Sequence, residues 1–254
     1  MDIKIPYTPR KHQAYLHKKI SDNRWNVLVC HRRFGKTVCM INHLIRSALL
    51  SKNKNPRYAY IAPTFKQAKS IAWDYMKQFT AKIPYTKFNE TELRVDLPNG
   101  SRITLLGSEN SDGLRGIYLD GCVIDEYANV NSRLFPEIIR PALSDRKGYC
   151  VFIGTPMGMN NNFYELYQHA QGADDWFNYK AKASETKIVD AEELVKAKEV
   201  MGDKKYQQEF ECDWIANIEG AVYSDVLGKM EDQKQLTRVP YDPSLPVSTA
   251  WDLG

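Results

Sequence analysis

The apolar run Trp25-Asn26-Val27-Leu28-Val29 leads into Cys30-His31-Arg32-Arg33-Phe34-Gly35-Lys36-Thr37, and that loop leads into Val38-Cys39-Met40-Ile41-Asn42-His43-Leu44-Ile45. The first run is continuous enough for a buried strand, and the last has apolar residues at helical spacing. A strand feeding a Gly-Lys-Thr turn that opens a helix constrains this chain more than any other feature. It is the layout of a phosphate-binding loop. N–H groups in a helix's first turn have no partner inside the helix, and the helix dipole favours an anion there. In such a loop Lys36 reaches the β- and γ-phosphates and the Thr37 hydroxyl ligates Mg²⁺. Gly-Lys-Thr alone is a weak signal, and Cys30 stands where the usual pattern has its first glycine. The expectation therefore rests on the flanks and on partners further along.

Those partners come in strand–helix alternation, which predicts parallel strands joined by crossover helices. Thr8-Pro9 reads as a cap and first turn opening a helix over 8–20, with Gln13 inside it. From position alone, Gln13 is a solvated helix residue. A strand is expected over 57–62 and a helix over 65–81. The runs 93–97 and 101–106, joined through Asn99-Gly100, read as a hairpin inserted at an antiparallel edge. A glycine-rich polar loop over 107–116 carries a single arginine, Arg115.

The strand expected over 121–126 ends in Asp125-Glu126. In parallel α/β sheets ligands bind beyond the carboxyl ends of strands, which places these carboxylates beside Lys36. Asp125 would hold Mg²⁺ through water, and Glu126 would orient or deprotonate an attacking water. A helix over 131–143 is interrupted near Pro136 and Pro141, and a strand over 149–153 ends in Gly154-Thr155-Pro156. Thr155 there is placed to sense a γ-phosphate, although Gly-Thr-Pro by itself is only a turn. Further elements are expected over 163–169 (helix), 177–183 (strand), 191–201 and 203–210 (helices). The fold class is α/β: a P-loop NTPase of the ASCE, RecA-like kind, with a mostly parallel central sheet, flanking helices and an antiparallel edge hairpin.

Composition is compatible with this reading. A net charge of +4 permits a nucleic-acid or phosphate partner without demanding one. The five cysteines contain no C-x-x-C pair and read as reduced, buried thiols. No apolar run is long enough to span a bilayer, and no signal peptide is recognisable.

In this order, the chain resembles the large terminase subunit of tailed bacteriophages, a DNA-packaging motor. The resemblance is carried by Gln13, the altered phosphate loop from His31 to Thr37, and Ala62-Pro63-Thr64 with Gln67. It continues through Gly113-Leu114-Arg115-Gly116, Val123-Ile124-Asp125-Glu126, Gly154-Thr155-Pro156 and Gln208-Glu209-Phe210. It implies ATP and Mg²⁺ as cofactors, with Gln13, Arg32, Arg33, Phe34, Gly35, Lys36 and Thr37 on the nucleotide and Thr37 and Asp125 on the metal. Glu126 would activate water and Thr155 would link the γ-phosphate to motion. Arg32 would contact phosphates from within the loop, and Arg115 would reach a neighbouring subunit's ATP. For each arginine the bland alternative is a surface side chain in a polar loop.

The resemblance also implies partners: double-stranded DNA, a portal and prohead, a small terminase subunit, and a homo-oligomeric, pentameric ring. It places the protein in the cytoplasm of the infected bacterium and not as a stable virion component. Such proteins carry a second, RNase H-like nuclease domain, and Asp252 looks like its first metal-binding carboxylate. The expected organisation is a motor domain over 1–216, a linker over 217–246, and over 247–254 the first strand of a truncated nuclease domain. The other nuclease carboxylates would lie beyond Gly254, so no nuclease activity is expected. Two alternatives stay open: a two-lobed helicase or translocase, and a nucleotide-dependent binding module that does not hydrolyse.

Overall fold

The computed structural model describes residues 5–215 and the isolated positions 230 and 244. The expected linker, apart from those two positions, and the expected nuclease strand with Asp252 lie outside the described residues.

The chain opens with α1 (Lys11–Asp22), β1 (Trp25–Cys30), α2 (Lys36–Leu50) and β2 (Arg57–Ala62). A continuous helical stretch follows, made of α3 (Phe65–Ala68), a π-helical turn (Lys69–Trp73) and α4 (Asp74–Thr80). Then come β3 (Lys87–Asn89), β4 (Arg94–Asp96), β5 (Arg102–Gly107), a 3₁₀ turn (Ser111–Leu114) and β6 (Gly121–Asp125). A second π-helical turn (Phe135–Ile139) runs into α5 (Arg140–Ala142), then β7 (Tyr149–Gly154), α6 (Asn162–Gly172) and β8 (Trp176–Ala181). The last described elements are α7 (Ala183–Thr186), α8 (Ala191–Met201) and α9 (Asp203–Phe210).

Eight strands form one sheet in the order β3-β4-β5-β2-β6-β7-β1-β8. The six from β5 to β8 run parallel, and β3, β4 and β5 pair antiparallel at one edge. Every residue of β1 and β6 is buried, as continuous apolar runs are when helices cover both faces of a parallel sheet. Leu28, Tyr60, Val123 and Val151 face the layer that holds α2 and α4. Val29, Ile61, Ile124 and Phe152 face the layer that holds Ile139, Phe163 and Trp214.

This is the mostly parallel α/β P-loop architecture expected, with two corrections. First, β5 is not a peripheral insertion: it pairs with β2 from Arg57↔Arg102 to Ala62↔Gly107 and meets only β4 antiparallel. Its alternating Ile103 and Leu105 are wholly buried, which draws the strand into the sheet and leaves β3 as the edge. Second, α1 begins at Lys11 with Arg10 as its N-cap, not at Thr8-Pro9. The Arg10 N–H donates to Gln13 Oε1 at 3.0 Å, so the first turn closes on Arg10 and leaves Pro9 outside.

The strand order has a consequence for chemistry. Because β7 lies between β1 and β6, the loops after β1 and β6 are two strand spacings apart, roughly 10 Å. That leaves a gap at the carboxyl edge of the sheet wide enough for a phosphate group.

Candidate nucleotide site

The loop after β1 takes its shape from two left-handed residues, Arg33 (φ 70°) and Gly35 (φ 87°). Two features favour glycine at Gly35. A side chain would be strained at that φ, and a Cβ would meet Gln13 Nε2 at 3.0 Å. Gly35 is also the N-cap of α2 and provides no side-chain cap, so the first-turn N–H groups remain open to a ligand.

Neighbouring elements brace the loop. Gln13 Nε2 donates to the Gly35 carbonyl at 3.3 Å and Arg10 Nη1 to the Phe34 carbonyl at 3.3 Å. The Arg32 N–H donates to the Glu209 carbonyl of α9 at 2.7 Å. His31 is buried, with its ring nitrogens 2.6 Å from the Arg32 carbonyl and 2.8 Å from Thr186 Oγ1. Phe34 is fully buried with its ring edge-on to His31 and its N–H donating to the His31 carbonyl at 3.2 Å, so it anchors the loop.

Lys36 Nζ donates to the Cys30 carbonyl at 3.3 Å and lies 3.8 Å from Glu126 Oε1. Asp125 ends β6 and is buried; its Oδ1 accepts the Glu126 N–H at 2.9 Å, and its Oδ2 accepts from the Tyr60 hydroxyl. The side chain of Thr37 interacts with that same hydroxyl. Glu126 is left-handed (φ 47°), which turns its carboxylate out of the strand direction, and the nearby Thr155 backbone favours its charged form. Burial raises the pKa of both Asp125 and Glu126; the Tyr60 hydrogen bond and then Lys36 oppose this at Asp125, and Lys36 opposes it at Glu126.

The third strand tip joins the same cluster. Gln208 Nε2 of α9 donates to the Pro156 carbonyl at 2.6 Å, and the Glu209 carboxylate lies 3.9 Å from Arg32 and 3.4 Å from Lys205. Arg32, Arg33, Phe34, Gly35, Lys36, Thr37, Asp125, Glu126 and Thr155 therefore gather at one edge of the sheet. Arg32 and Arg33 are exposed there.

Two expected residues behave differently. Gln13 is not solvated: it is 4% exposed, and its amide is shared between the Arg10 N–H and the Gly35 carbonyl. Arg115 lies outside the cluster around Lys36, with Nη2 3.6 Å from Glu137 on the Phe135–Ile139 turn. Arg10, Tyr60 and Glu209 belong to the site or its bracing and were not singled out from sequence as site residues. Tyr60 gives no signal beyond its place in an apolar strand, whereas Glu209 lies within the Gln208-Glu209-Phe210 run.

The donor set fits a magnesium–nucleotide complex. The uncapped start of α2 suits a phosphate, and Thr37 and Asp125 offer the hard oxygen donors that Mg²⁺ prefers. Among the described residues no three His, Cys, Asp or Glu side chains gather as a metal cluster. A cation here would share its coordination with phosphate oxygens.

A family model described as "Terminase large subunit, T4likevirus-type, N-terminal" matches residues 29–225. The terminase large subunit of Thermus phage G20c is 29% identical over 182 residues, 64% of this chain and 36% of that protein. The chain thus spans well under half the length of that relative. The large terminase ATPase domain of Thermus phage P74-26 superposes with a TM-score of 0.69 at 21% identity, covering 83% of this chain and 95% of that one. The large terminase of a further thermophilic bacteriophage, solved in complex with ADP, gives 0.70 at 17% identity over 80% of this chain and 53% of that one. At these identities the two structures speak to the fold.

Proposed function

The chain belongs to the terminase large-subunit family, and we propose from this that it is the ATP-hydrolysing motor part of a protein that drives double-stranded DNA into a prohead. The observation that carries the reading is the convergence of Lys36, Asp125 and Glu126 at the carboxyl ends of β1 and β6.

A triphosphate lying on the open first turn of α2 would take the place of Glu126 beside Lys36. Thr37 and Asp125 are the residues to hold Mg²⁺, which when bound neutralises charge on the β- and γ-oxygens. Glu126, released from Lys36, would orient the attacking water and accept its proton. Arg32, exposed within the loop, would add a guanidinium to the transferred oxygens, Arg33 and Gly35 would contribute backbone, and Phe34 would anchor the loop that presents them. Gln13 would act on the nucleotide by holding the Gly35 carbonyl. Thr155 and Pro156, beside Glu126 on one side and bonded to Gln208 on the other, would carry the γ-phosphate state to α9.

The partners belong to the whole protein, of which this chain is a part by comparison with its relatives. They are double-stranded DNA, the portal and prohead, a small terminase subunit and other copies of the chain in a ring. The working place is the cytoplasm of the infected bacterium. A nuclease centre beginning at Asp252 would belong to a longer chain.

The test is ATP turnover with and without double-stranded DNA, in wild type and Lys36→Ala. Turnover that needs Lys36 supports the motor. Nucleotide binding without turnover under any condition favours a binding module, and separation of a forked duplex favours a helicase.

A further inference from the structure

A buried carboxylate that helps hold a cation must keep one oxygen aimed at it, and in this site the aiming is done from β2. Tyr60 is 1% exposed and sits opposite Val123 in the β2–β6 register. Side chains alternate along a strand, so Tyr60 shares a face with Asp125, two positions further along β6. Its hydroxyl donates to Asp125 Oδ2 and also interacts with the side chain of Thr37 at the start of α2. Tyr60 therefore bonds one residue that would face the metal, Asp125, from a third element, with Thr37 beside it.

We propose that Tyr60 is a positioning residue for the divalent-cation site, fixing the Asp125 carboxylate and the Thr37 hydroxyl relative to each other. The proposal deepens the ATPase reading and rests on it. A phenylalanine would fill nearly the same volume, and a buried hydroxyl is costly unless it is bonded. Two other tyrosines of this core spend their hydroxyls on α2 as structural ties: Tyr58 on the Ser47 carbonyl at 3.1 Å and Tyr149 on Ser47 Oγ at 3.1 Å. The Tyr60 hydroxyl goes instead to the metal-facing pair. Without it, Asp125 keeps the Oδ1 bond from the Glu126 N–H, and the carboxylate can rotate about that bond. Mg²⁺ is demanding of octahedral geometry, and losing a partner of a metal ligand typically weakens metal binding by about 10–100-fold. Among the described residues Tyr60 makes no hydrogen bond to the loop N–H groups or to Lys36, so binding of a nucleotide without metal does not depend on it.

The experiment measures binding of a fluorescent ADP analogue to wild type and Tyr60→Phe, in EDTA and across a Mg²⁺ titration. In EDTA the two are expected to bind alike. The Mg²⁺ midpoint for enhanced binding is expected to rise by about 10–100-fold in Tyr60→Phe. An unchanged midpoint overturns the proposal, as does an equal loss of binding in EDTA, which assigns Tyr60 a packing role. A wild type that binds no nucleotide, or binds it indifferently to Mg²⁺, overturns the ATPase reading and the proposal with it. Should Tyr60→Phe fail to fold, 3-fluorotyrosine placed at position 60 gives a second readout. Its ¹⁹F resonance should move when Mg²⁺ joins the ADP-bound protein and stay still when ADP is added with EDTA. Indifference to Mg²⁺ overturns the proposal there too.

Discussion

Lys36 and Glu126 face each other across 3.8 Å, although one follows β1 and the other follows β6. The lysine side chain is only 12% exposed, so the pair is partly shielded, and each charge is neutralised by the group it would have to leave to act on a nucleotide. A triphosphate must compete with Glu126 for the ammonium. In doing so it frees a carboxylate that, unlike Asp125, is not held by Tyr60.

Glu126→Gln keeps the shape of the side chain and removes its capacity to take a proton. Turnover is expected to fall by about 10²–10⁴, the usual contribution of a general base. Binding of a nucleotide is expected to hold or tighten, since Lys36 no longer has a charged competitor. Single-turnover hydrolysis alongside equilibrium binding checks both halves; a variant that still turns over removes Glu126 from its role.

Gly35→Ala tests the loop. A left-handed alanine costs roughly 1–2 kcal/mol, and its Cβ would press on Gln13 Nε2 at 3.0 Å. For a domain of this size the melting temperature should drop by about 2–8 °C. Nucleotide affinity should drop as well, because the first-turn N–H groups of α2 shift with the loop. Calorimetry and equilibrium binding read the two effects, and a fully stable variant with wild-type affinity would show that neither strain nor contact matters.

Much of this was legible in the sequence because the signals were local. The β2 boundaries at Arg57 and Ala62 and the helices Ala191–Met201 and Asp203–Phe210 follow from periodicity and turn residues alone. The approach of Lys36 to Asp125 and Glu126 was legible too, because carboxyl-end placement in a parallel sheet is a rule of topology. What escaped were contacts set by a second element. Gln13 reads as solvated until α1 packs against the Gly35 loop, and Arg10 carries no sequence signal for its place as the N-cap of α1 or its reach to the Phe34 carbonyl. Three residues, Lys87–Asn89, with their mixed polarity, carry no strand pattern of their own; β3 exists because β4 offers an edge.

Arg115 is held by Glu137 in its own chain. Arg115→Ala is therefore expected to leave nucleotide binding unchanged. If the guanidinium acts on a neighbour's nucleotide, mixing Arg115→Ala with Lys36→Ala chains should restore turnover, since one supplies an intact site and the other the arginine. An arginine delivered to a phosphoryl group is worth about 10³–10⁵ in rate, so restoration would be easy to detect. No restoration, with Arg115→Ala itself fully active, removes Arg115 from catalysis.

Stability should fall in mild acid for a reason remote from the nucleotide site. His17 Nδ1 and His43 Nδ1 lie 3.1 Å apart between α1 and α2, with the rings stacked. Tyr7 hydroxyl sits 2.9 Å from His17 Nε2, Cys39 Sγ lies 3.9 Å from the same nitrogen, and Tyr149 packs edge-on against His43. Two nitrogens at that distance can share a proton only while at least one ring is neutral. Burial, with Arg46 adding to it, pushes His17 down to about 4; burial, then His17 and Arg46, pushes His43 down to about 3. With the folded values below the unfolded value near 6.5, the unfolded chain binds more protons in between. The contribution is complete above pH 6.5 and is lost as pH falls toward about 4 for His17 and about 3 for His43. Each histidine contributes a slope of up to ~1.4 kcal/mol per pH unit inside that window, or roughly 3–6 °C in melting temperature per pH unit. Asp125 and Glu126, with raised values, work in the opposite sense, since protonating them relieves buried charge as pH falls. Subtracting the melting temperature of His43→Phe from that of wild type at each pH cancels their part and isolates His43 with its coupling to His17. That difference should steepen below pH 6.5; a flat difference down to pH 4 would show that the pair accepts protons in the folded state as readily as in the unfolded one.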